Sequence, residues 1–355
     1  MQKKSAIIRF HGVEVKYGEV QALRGVNLEI PGGKVTVIIG PSGCGKSTMI
    51  RTVNRMVEPT KGTVEYQGVD VKQLGKIELR RQMGYAIQNV GLIPHLTVEE
   101  NIMLVPRLLG WPEERKKKRA HELFELIGLD PKEYGNKYPS ELSGGEAQRV
   151  GVARALGADP PVLLFDEPFG AVDPLKREEL QGEFVRIQRR LKKTVLFITH
   201  DLSEAIRLAD YMVIMKDGLV VQADTPQRLL KEPANDFVEQ FLGADRTLQR
   251  LTLLTADRIA KPLRIEGEGL VGASGILWRP LADGDILAVY KGDSGEFLSR
   301  LVQVNIHVAR PYASLKECVS KFLALGLPAI PLVDDSGEVT AEVLFDDIQR
   351  ITKEG

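Results

Sequence analysis

The chain has 355 residues, of which 43% are apolar and 27% charged, a composition typical of a globular protein large enough for two domains. Lysine plus arginine and aspartate plus glutamate each total 48, so the chain lacks the positive excess on which non-specific nucleic-acid binding depends. Its two cysteines, Cys44 and Cys318, have no neighbouring cysteine or histidine at metal-ligand spacing, which argues against disulfides or a zinc site.

Apolar runs of strand length alternate with helix-patterned segments from about residue 6 to residue 244, which predicts an α/β domain with a largely parallel sheet. Buried central strands are predicted at residues 35–39, 162–165, 194–198 and 211–215. Between about 95 and 155 helical signals dominate, which predicts an inserted helical subdomain. Because the composition changes after residue 243, we expect a first domain over 1–244 and a second over 245–355.

A glycine-rich loop separates the strand at 35–39 from a helix predicted at 46–54, and it fits the P-loop pattern of nucleotide-binding proteins in full. Backbone N–H groups of such a loop and the positive end of the following helix surround phosphates. We expect Lys46 to contact the β- and γ-phosphates of a nucleotide and the Ser47 hydroxyl to bind Mg²⁺. The predicted loop residues are Gly40, Pro41, Ser42, Gly43, Cys44, Gly45, Lys46, Ser47 and Thr48.

The strand predicted at 162–165 ends in two acids, Asp166 and Glu167. Asp166 is predicted to hold Mg²⁺, directly or through water, and Glu167 to orient and deprotonate an attacking water. Such a pair can also be a solvated turn, but the neighbouring P-loop favours the catalytic interpretation.

The segment Leu142-Ser143-Gly144-Gly145-Glu146-Ala147-Gln148-Arg149 resembles the signature motif of ATP-binding-cassette (ABC) ATPases, and the resemblance covers about residues 6–244. It implies a P-loop NTPase fold in which Ser143, Gly144 and Gly145 contact ATP held by another copy, so that the protein acts as a homodimer. Glu146 stands where the family commonly has glutamine, and we expect activity to survive this difference.

Four single residues match further motifs of this family. Tyr17 matches the aromatic residue that stacks on adenine, and Gln88 the glutamine that links Mg²⁺ to the transmembrane partner. Asp173 matches the dimer-contact aspartate, and His200 the histidine that contacts the γ-phosphate. Each has an ordinary structural explanation alone, but their order and spacing favour the functional one. The resemblance thus implies ATP and Mg²⁺ as cofactors and places Gln88 and His200 beside Lys46 and Glu167 in the catalytic set.

Residues 88–102 and 109–112 resemble ATPases that power importers of osmoprotectants, the glycine betaine, carnitine and choline group. This resemblance implies transmembrane permease subunits as partners, an extracytoplasmic substrate-binding protein as an indirect one, and a peripheral position on the cytoplasmic face of the membrane. An amino-acid importer and a soluble ABC ATPase without a membrane partner remain alternatives. No nucleic-acid partner is expected, because acids flank the basic run at 115–119, which is therefore interpreted as a solvated helix face.

The end of the second domain resembles one repeat of an α+β cystathionine-β-synthase (CBS) domain. We predict a helix at 313–325, strands at 329–333 and 339–345, a helix starting at Asp346, and further strands within 274–302. Ligand-binding repeats commonly carry a hydroxyl three residues before the helix-start aspartate, where this chain has Leu344 before Asp347. Regulation of the ATPase and stabilisation of the dimer both remain open for this domain.

Overall fold

A computed structural model gives the fold and describes residues 6–86, 91–170, 174–243, 246–267, 269–279, 287–291, 296–301 and 308–354. The chain forms two compact units, residues 1–241 and 242–355. Within the described ranges, every helix is too short or too polar to cross a lipid bilayer. Gln88 and Asp173 lie outside these ranges.

The first unit combines two sheets with helices that follow their strands. Its strands are β1 (Ala6–Tyr17), β2 (Val20–Pro31), β3 (Val35–Ile39), β4 (Lys61–Tyr66), β5 (Val69–Asp70), β6 (Met83–Ala86), β7 (Val162–Asp166), β8 (Thr194–Ile198), β9 (Tyr211–Lys216) and β10 (Leu219–Asp224). Its helices are α1 (Lys46–Val53), α2 (Lys76–Arg81), α3 (Val98–Ile102), α4 (Leu104–Leu108), α5 (Glu113–Leu126), α6 (Pro131–Tyr134), α7 (Gly144–Leu156), α8 (Pro174–Leu191), α9 (Leu202–Leu208), α10 (Pro226–Lys231) and α11 (Asp236–Leu242).

The central sheet has six strands in the order β10-β9-β3-β8-β7-β6, and only β10 runs antiparallel to its neighbour. The four predicted central strands are confirmed as β3, β7, β8 and β9, the first and third of them with the predicted bounds. Every residue of β3, β7 and β8 is buried, as expected of a parallel sheet covered on both faces. Loops that follow the carboxyl ends of these strands therefore meet at one edge.

A second sheet was not predicted. Strands β2, β1, β4 and β5 pair antiparallel in that order, and their apolar side chains share a core with the central sheet and helix α1. Exposed and buried side chains alternate along much of β2, so only one face of this sheet carries an apolar pattern. Strand β1 ends at Tyr17 in a tight hairpin with β2, where Tyr17 pairs with Val20.

Helices α3 to α7 occupy the segment for which a helical subdomain is predicted, and no strand lies between them among the residues described from 91 to 156. Helix α5 carries the basic run at 115–119, in which Arg115, Lys117 and Lys118 are exposed, as expected of a solvated helix face, whereas Arg119 is partly buried. The Arg119 guanidinium donates hydrogen bonds to the carbonyls of Leu156 and Gly157, at 2.9 and 3.3 Å. Those carbonyls lie at the end of α7 and lack helical partners, so Arg119 joins two helices instead of facing solvent.

The second unit joins an antiparallel meander to a three-stranded antiparallel sheet with helices, an α+β arrangement. Its strands are β11 (Lys261–Pro262), β12 (Arg264–Glu266), β13 (Gly269–Val271), β14 (Ile276–Arg279), β15 (Leu287–Lys291), β16 (Glu296–Leu301), β17 (Ala329–Val333) and β18 (Val339–Leu344). Its helices are α12 (Arg246–Leu251), α13 (Leu315–Leu325) and α14 (Phe345–Glu354). The predicted elements at its end are confirmed to within two residues, whereas their identification as a CBS repeat stays a prediction. The predicted extra strands are β14, β15 and β16, within a meander ordered β12-β13-β14-β15-β16.

A buried carboxylate connects the two parts of this unit. Glu342 of β18 is fully buried and accepts hydrogen bonds from the Ser274 backbone N–H at 2.7 Å, the Ser274 hydroxyl at 2.6 Å and the Trp278 indole N–H at 3.1 Å. Trp278 belongs to the meander and packs with Val308, Ala329 and other buried apolar residues of the unit. Three donors thus converge on one side chain, which fixes the meander to the three-stranded sheet.

We expect Glu342→Gln to lower the free energy of unfolding of the second unit by about 1–3 kcal/mol. The single amide oxygen cannot accept hydrogen bonds from all three donors, and the new amide N–H group would point at one of these donors inside the protein. Urea unfolding followed by tryptophan fluorescence measures this, in a Trp111→Phe background where Trp278 reports alone. Glu338→Gln, at an exposed position beside β18, is the matched control and should change stability by less than about 0.5 kcal/mol. Equal unfolding midpoints for the two variants would contradict the prediction.

Candidate functional site

The predicted phosphate loop lies between β3 and α1, at the carboxyl edge of the central sheet. Gly45 precedes α1 with a φ of +103°, and a Cβ atom there would lie 2.5 Å from the Ala22 carbonyl oxygen. A side chain at Gly40 would meet the carbonyl oxygen of Met215 in the same way. Only glycine therefore fits these two positions, and the loop backbone is held close to β2 and β9.

Lys46 is buried inside this loop. Its ammonium group donates hydrogen bonds to the carbonyls of Gly40 and Pro41, at 2.9 and 3.0 Å, and lies 3.9 Å from the Cys44 sulfur. Burial raises the pKa of the Cys44 thiol, although Lys46 acts in the opposite direction. Cys44 is therefore a neutral, packed side chain, and the positive charge of the loop comes from Lys46.

Asp166, the last residue of β7, meets the first turn of α1. One of its carboxylate oxygens accepts a 2.8 Å hydrogen bond from the Ser47 hydroxyl, and the other lies 3.5 Å from both the Arg51 guanidinium and the Tyr85 hydroxyl. Adjacent oxygen ligands of an octahedral Mg²⁺, at about 2.0–2.1 Å from the ion, lie roughly 2.9 Å apart. Ser47 and Asp166 therefore fit two ligand positions of one such ion. Among the described residues, no three His, Cys, Asp or Glu side chains cluster as a metal site by themselves.

Glu167 and His200 face one another just beyond the ends of β7 and β8. The His200 Nδ1 atom lies 3.1 Å from the Glu167 carboxylate, and the Glu167 backbone N–H donates to the Ile198 carbonyl at 3.0 Å. Glu167 has a φ of +50°, a left-handed conformation that is uncommon for a residue with a side chain. Local strain of this kind, held in place by neighbouring strands, concentrates at functional sites.

The signature segment forms the start of α7. Ser143 caps this helix, accepting from the Glu146 N–H at 3.3 Å, while the Glu146 carboxylate accepts from the Ser143 N–H at 2.7 Å. The Tyr134 hydroxyl donates to the same carboxylate at 2.9 Å. Gly144 and Gly145 follow, and no atom beyond their chain neighbours and the helix backbone lies within 4 Å of the position that a Cβ atom would take at either residue. Glu146 therefore completes a capping box at this helix start, which explains why an acid suits the position.

The structure brings Ser47 to Asp166 and Glu167 to His200, while the roles of these residues stay predictions, and it adds partners that the sequence analysis missed. Arg51 and Tyr85 both approach Asp166, and neither was predicted. For Arg51 a signal existed, because it stands four residues after Ser47 and so shares its helix face. Tyr17 lies at the end of β1 and is 49% exposed. Its stacking on an adenine ring stays a prediction. The predictions for Gln88 and Asp173 fall outside the described residues.

A family model described as ABC transporter matches residues 23–170. The glycine betaine/carnitine/choline transport ATP-binding protein OpuCA of Bacillus subtilis is 39% identical over 358 residues, which cover 94% of this chain and 93% of that protein. The osmoprotectant import ATP-binding protein OsmV of Salmonella typhimurium is 48% identical over 244 residues, or 69% of this chain and 64% of that protein.

A solved structure is also similar to part of this chain. It is the dimeric, post-hydrolysis state of an ATP-binding cassette bound to ADP and Pi, with a TM-score of 0.54 and 33% identity, and it covers 61% of this chain and 98% of its own. The cassette fold predicted from the P-loop and signature motifs is thereby confirmed.

Glu146→Ala should destabilise the start of α7 by about 1 kcal/mol, because it removes one side of the capping box. Hydrogen bonds from Ser143, first the backbone N–H and then the hydroxyl, and from Tyr134 lower the pKa of Glu146. The stabilisation is therefore present above the ordinary glutamate pKa of about 4.3 and is lost as pH falls through the lower pKa of the folded state. Amide hydrogen exchange of residues 144–147 at pH 7 measures the effect.

Glu146→Gln is the matched control, since its amide oxygen can still accept from Ser143, and it should stay within about 0.5 kcal/mol of the parent at pH 7. Identical exchange rates in the alanine and glutamine variants would show that the cap contributes nothing.

Proposed function

This chain belongs to the ATP-binding proteins of ABC transporters, and on that premise we propose that it hydrolyses ATP to power an importer of osmoprotectants such as glycine betaine, carnitine or choline. The observation that carries the catalytic part is the pair of contacts at the sheet edge, Ser47 with Asp166 and His200 with Glu167. The names of the full-length relatives support the substrate class.

In the proposed mechanism, the loop at 40–48 binds the phosphates of ATP through its backbone N–H groups, and Lys46 turns its ammonium group toward the β- and γ-phosphates. Mg²⁺, held by Ser47, Asp166 and Gln88, would neutralise charge on the phosphate oxygens. Glu167 orients a water molecule and takes its proton as the oxygen attacks the γ-phosphorus and the bond to the β-phosphate oxygen breaks. His200 contacts the γ-phosphate, and its distance to Glu167 allows it to orient that carboxylate.

Two copies complete the site. We assign Ser143, Gly144 and Gly145 to the ATP bound by the partner copy, Asp173 to the contact between copies and Tyr17 to the adenine ring. The exposed side chain of Tyr17 and the open space at both glycines support these roles. A helix start offers N–H groups and a positive dipole to phosphate oxygens, so the start of α7 suits this task.

The proposed partners are transmembrane permease subunits, which would hold the ATPase at the cytoplasmic face of the membrane, with a substrate-binding protein acting through them. An amino-acid importer would need the same motor, but the named relatives favour quaternary ammonium solutes. A soluble ABC ATPase without a membrane partner is the other candidate, and the high coverage by transport ATP-binding proteins counts against it.

Glu167→Gln should abolish ATP turnover and leave ATP binding intact, because the amide keeps the shape of the side chain but cannot accept the proton of water.

Lys46→Ala should instead weaken ATP binding by about 1.5–3 kcal/mol through loss of a charge-assisted contact. Phosphate release and fluorescent-nucleotide binding separate the two effects. Size-exclusion chromatography with ATP and Mg²⁺ should show the Glu167→Gln protein as a dimer, and a monomer alone would contradict the two-copy site.

The transport proposal is tested with the chain and its co-purified membrane partners in liposomes. Glycine betaine, carnitine or choline, presented with the substrate-binding protein, should stimulate ATP hydrolysis, whereas a polar amino acid should not. Stimulation by the amino acid alone would favour the amino-acid importer. ATPase activity without any membrane partner in the native extract would favour the soluble ATPase.

For the second unit we propose regulation of the motor, with stabilisation of the dimer as the alternative. A protein ending at Gly243 retains every proposed site residue, and a salt series on the liposome assay compares it with the full chain. Loss of salt dependence in the shortened protein would support regulation, because ionic screening acts on charged surfaces near anionic lipid. Loss of dimerisation alone would support the structural role.

A further inference from the structure

The Asp166 carboxylate is held by two contacts that the mechanism above does not use. Its Oδ1 atom accepts the hydrogen bond from the Ser47 hydroxyl at 2.8 Å and so faces the position proposed for Mg²⁺. Its Oδ2 atom lies 3.5 Å from the Tyr85 hydroxyl and 3.5 Å from an Arg51 guanidinium nitrogen. Asp166 is only 6% exposed, and a buried carboxylate is costly unless donors compensate its lost hydration. The donors on Oδ2 therefore help to decide how this carboxylate is oriented.

Tyr85 brings its hydroxyl from the edge strand of the central sheet. Strand β6 pairs in parallel with β7 so that Tyr85 lies opposite Leu164, which shares its face of the sheet with Asp166 because side chains alternate along a strand. The backbone of β6 is closely packed, since a Cβ atom at Gly84 would clash with the Ala155 carbonyl of α7. The ring of Tyr85 is partly buried against the core shared by the two sheets and α1. Strand pairing and packing thus fix the place from which the hydroxyl approaches Asp166.

The two donors on Oδ2 differ in charge. Burial raises the pKa of the Tyr85 hydroxyl above its ordinary value of about 10, so this group is protonated at neutral pH and donates. The neutral phenol orients the carboxylate without adding positive charge beside the ion. Arg51 contributes a cation and stands on α1 one turn after Ser47, so that α1 contacts both oxygens of Asp166.

We infer that Tyr85 is a positioning residue for Mg²⁺: together with Arg51 it holds Oδ2 of Asp166, so that Oδ1 stays beside the Ser47 hydroxyl and both oxygens can bind one ion. This inference rests on the proposed role of Ser47 and Asp166. Mg²⁺ demands near-ideal octahedral geometry, so a carboxylate that is free to turn binds it less tightly. Loss of a group that orients a metal ligand typically costs about 10- to 100-fold in metal affinity. The contacts on Oδ2 are long for hydrogen bonds, so the expected effect here is smaller.

Tyr85→Phe tests the inference because it removes the hydroxyl and keeps the ring. The full chain carries Glu167→Gln to stop turnover and is kept in excess over ATP, and Mn²⁺, which takes the same oxygen ligands as Mg²⁺, is the probe. Electron paramagnetic resonance measures the free Mn²⁺. Tyr85→Phe should raise the dissociation constant for Mn²⁺ about 3- to 10-fold, whereas the affinity for ATP in EDTA should stay within about twofold.

A second measurement uses the chain with Glu167 intact. In Tyr85→Phe the Mg²⁺ concentration that gives half-maximal ATP turnover should rise about 3- to 10-fold, while kcat at saturating Mg²⁺ stays within about twofold. A merely structural role of the hydroxyl would change stability and leave this Mg²⁺ dependence where it was.

Tyr211, at the start of β9, provides the matched control. Its hydroxyl donates to the Ala223 carbonyl at 3.2 Å and its ring packs against the same core, but it lies at the amino end of its strand, away from the phosphate loop. Tyr211→Phe should leave Mn²⁺ affinity unchanged even where it lowers stability as much as Tyr85→Phe does. If Tyr85→Phe does not fold, Arg51→Lys, which keeps the charge but loses the guanidinium fork, should weaken Mn²⁺ binding in the same direction.

A double-mutant cycle shows whether Tyr85 acts through Asp166. In an Asp166→Ala background Tyr85→Phe should change Mn²⁺ affinity by less than about twofold, because the carboxylate that it orients is gone. Unchanged Mn²⁺ affinity in folded Tyr85→Phe, or an equal further loss in the Asp166→Ala background, would overturn the inference. The proposed function fails separately, when the ATP complex of the protein with Tyr85 intact binds Mn²⁺ no more tightly than free ATP does, or when Glu167→Gln retains its activity.

Discussion

The hydrogen bond between the Ser47 hydroxyl and the Asp166 carboxylate is the contact around which the first unit is arranged. It joins side chains 119 positions apart, one at the start of α1 and one at the end of β7. Both depend on the parallel pairing of β3, β8 and β7, which brings the carboxyl ends of three strands to one edge. Shifting one strand by a single residue would turn its side chains to the opposite face and separate the pair.

The parts that could be predicted from sequence are those whose chemistry is local. Strands β3 and β8 are buried along their whole length, so their continuous apolar runs predict both where these elements lie and that they are strands. The phosphate loop was predictable because glycine, lysine and serine stand in a fixed order between a strand and a helix. Glu146 shows the limit of such motifs. Its departure from the common glutamine was visible in the sequence, but the capping box and the Tyr134 contact that explain it were visible only in the fold.

What could not be predicted depends on residues that meet through tertiary structure. The antiparallel sheet of β1, β2, β4 and β5 was missed because a half-buried strand shows alternation, a weaker signal than a continuous apolar run. Tyr85 was missed for a different reason. A tyrosine in a short strand normally indicates packing, and nothing in its neighbourhood reveals that its hydroxyl lies near Asp166. The contact of Arg119 was not predicted either, because its acceptors belong to another helix.

The close approach of Gly45 to Ala22 also joins the two sheets of the first unit. The Gly218 N–H donates to the Cys44 carbonyl at 3.1 Å, and the Arg24 N–H donates to the Gly218 carbonyl at 2.9 Å. The phosphate loop is thus braced against β2, and β2 pairs with β1 up to Tyr17. With the proposed roles of Tyr17 and of the phosphate loop, both ends of a bound nucleotide would rest on one continuous, hydrogen-bonded backbone frame. Such a frame would favour a ligand whose length from base to terminal phosphate matches the distance that the backbone already sets.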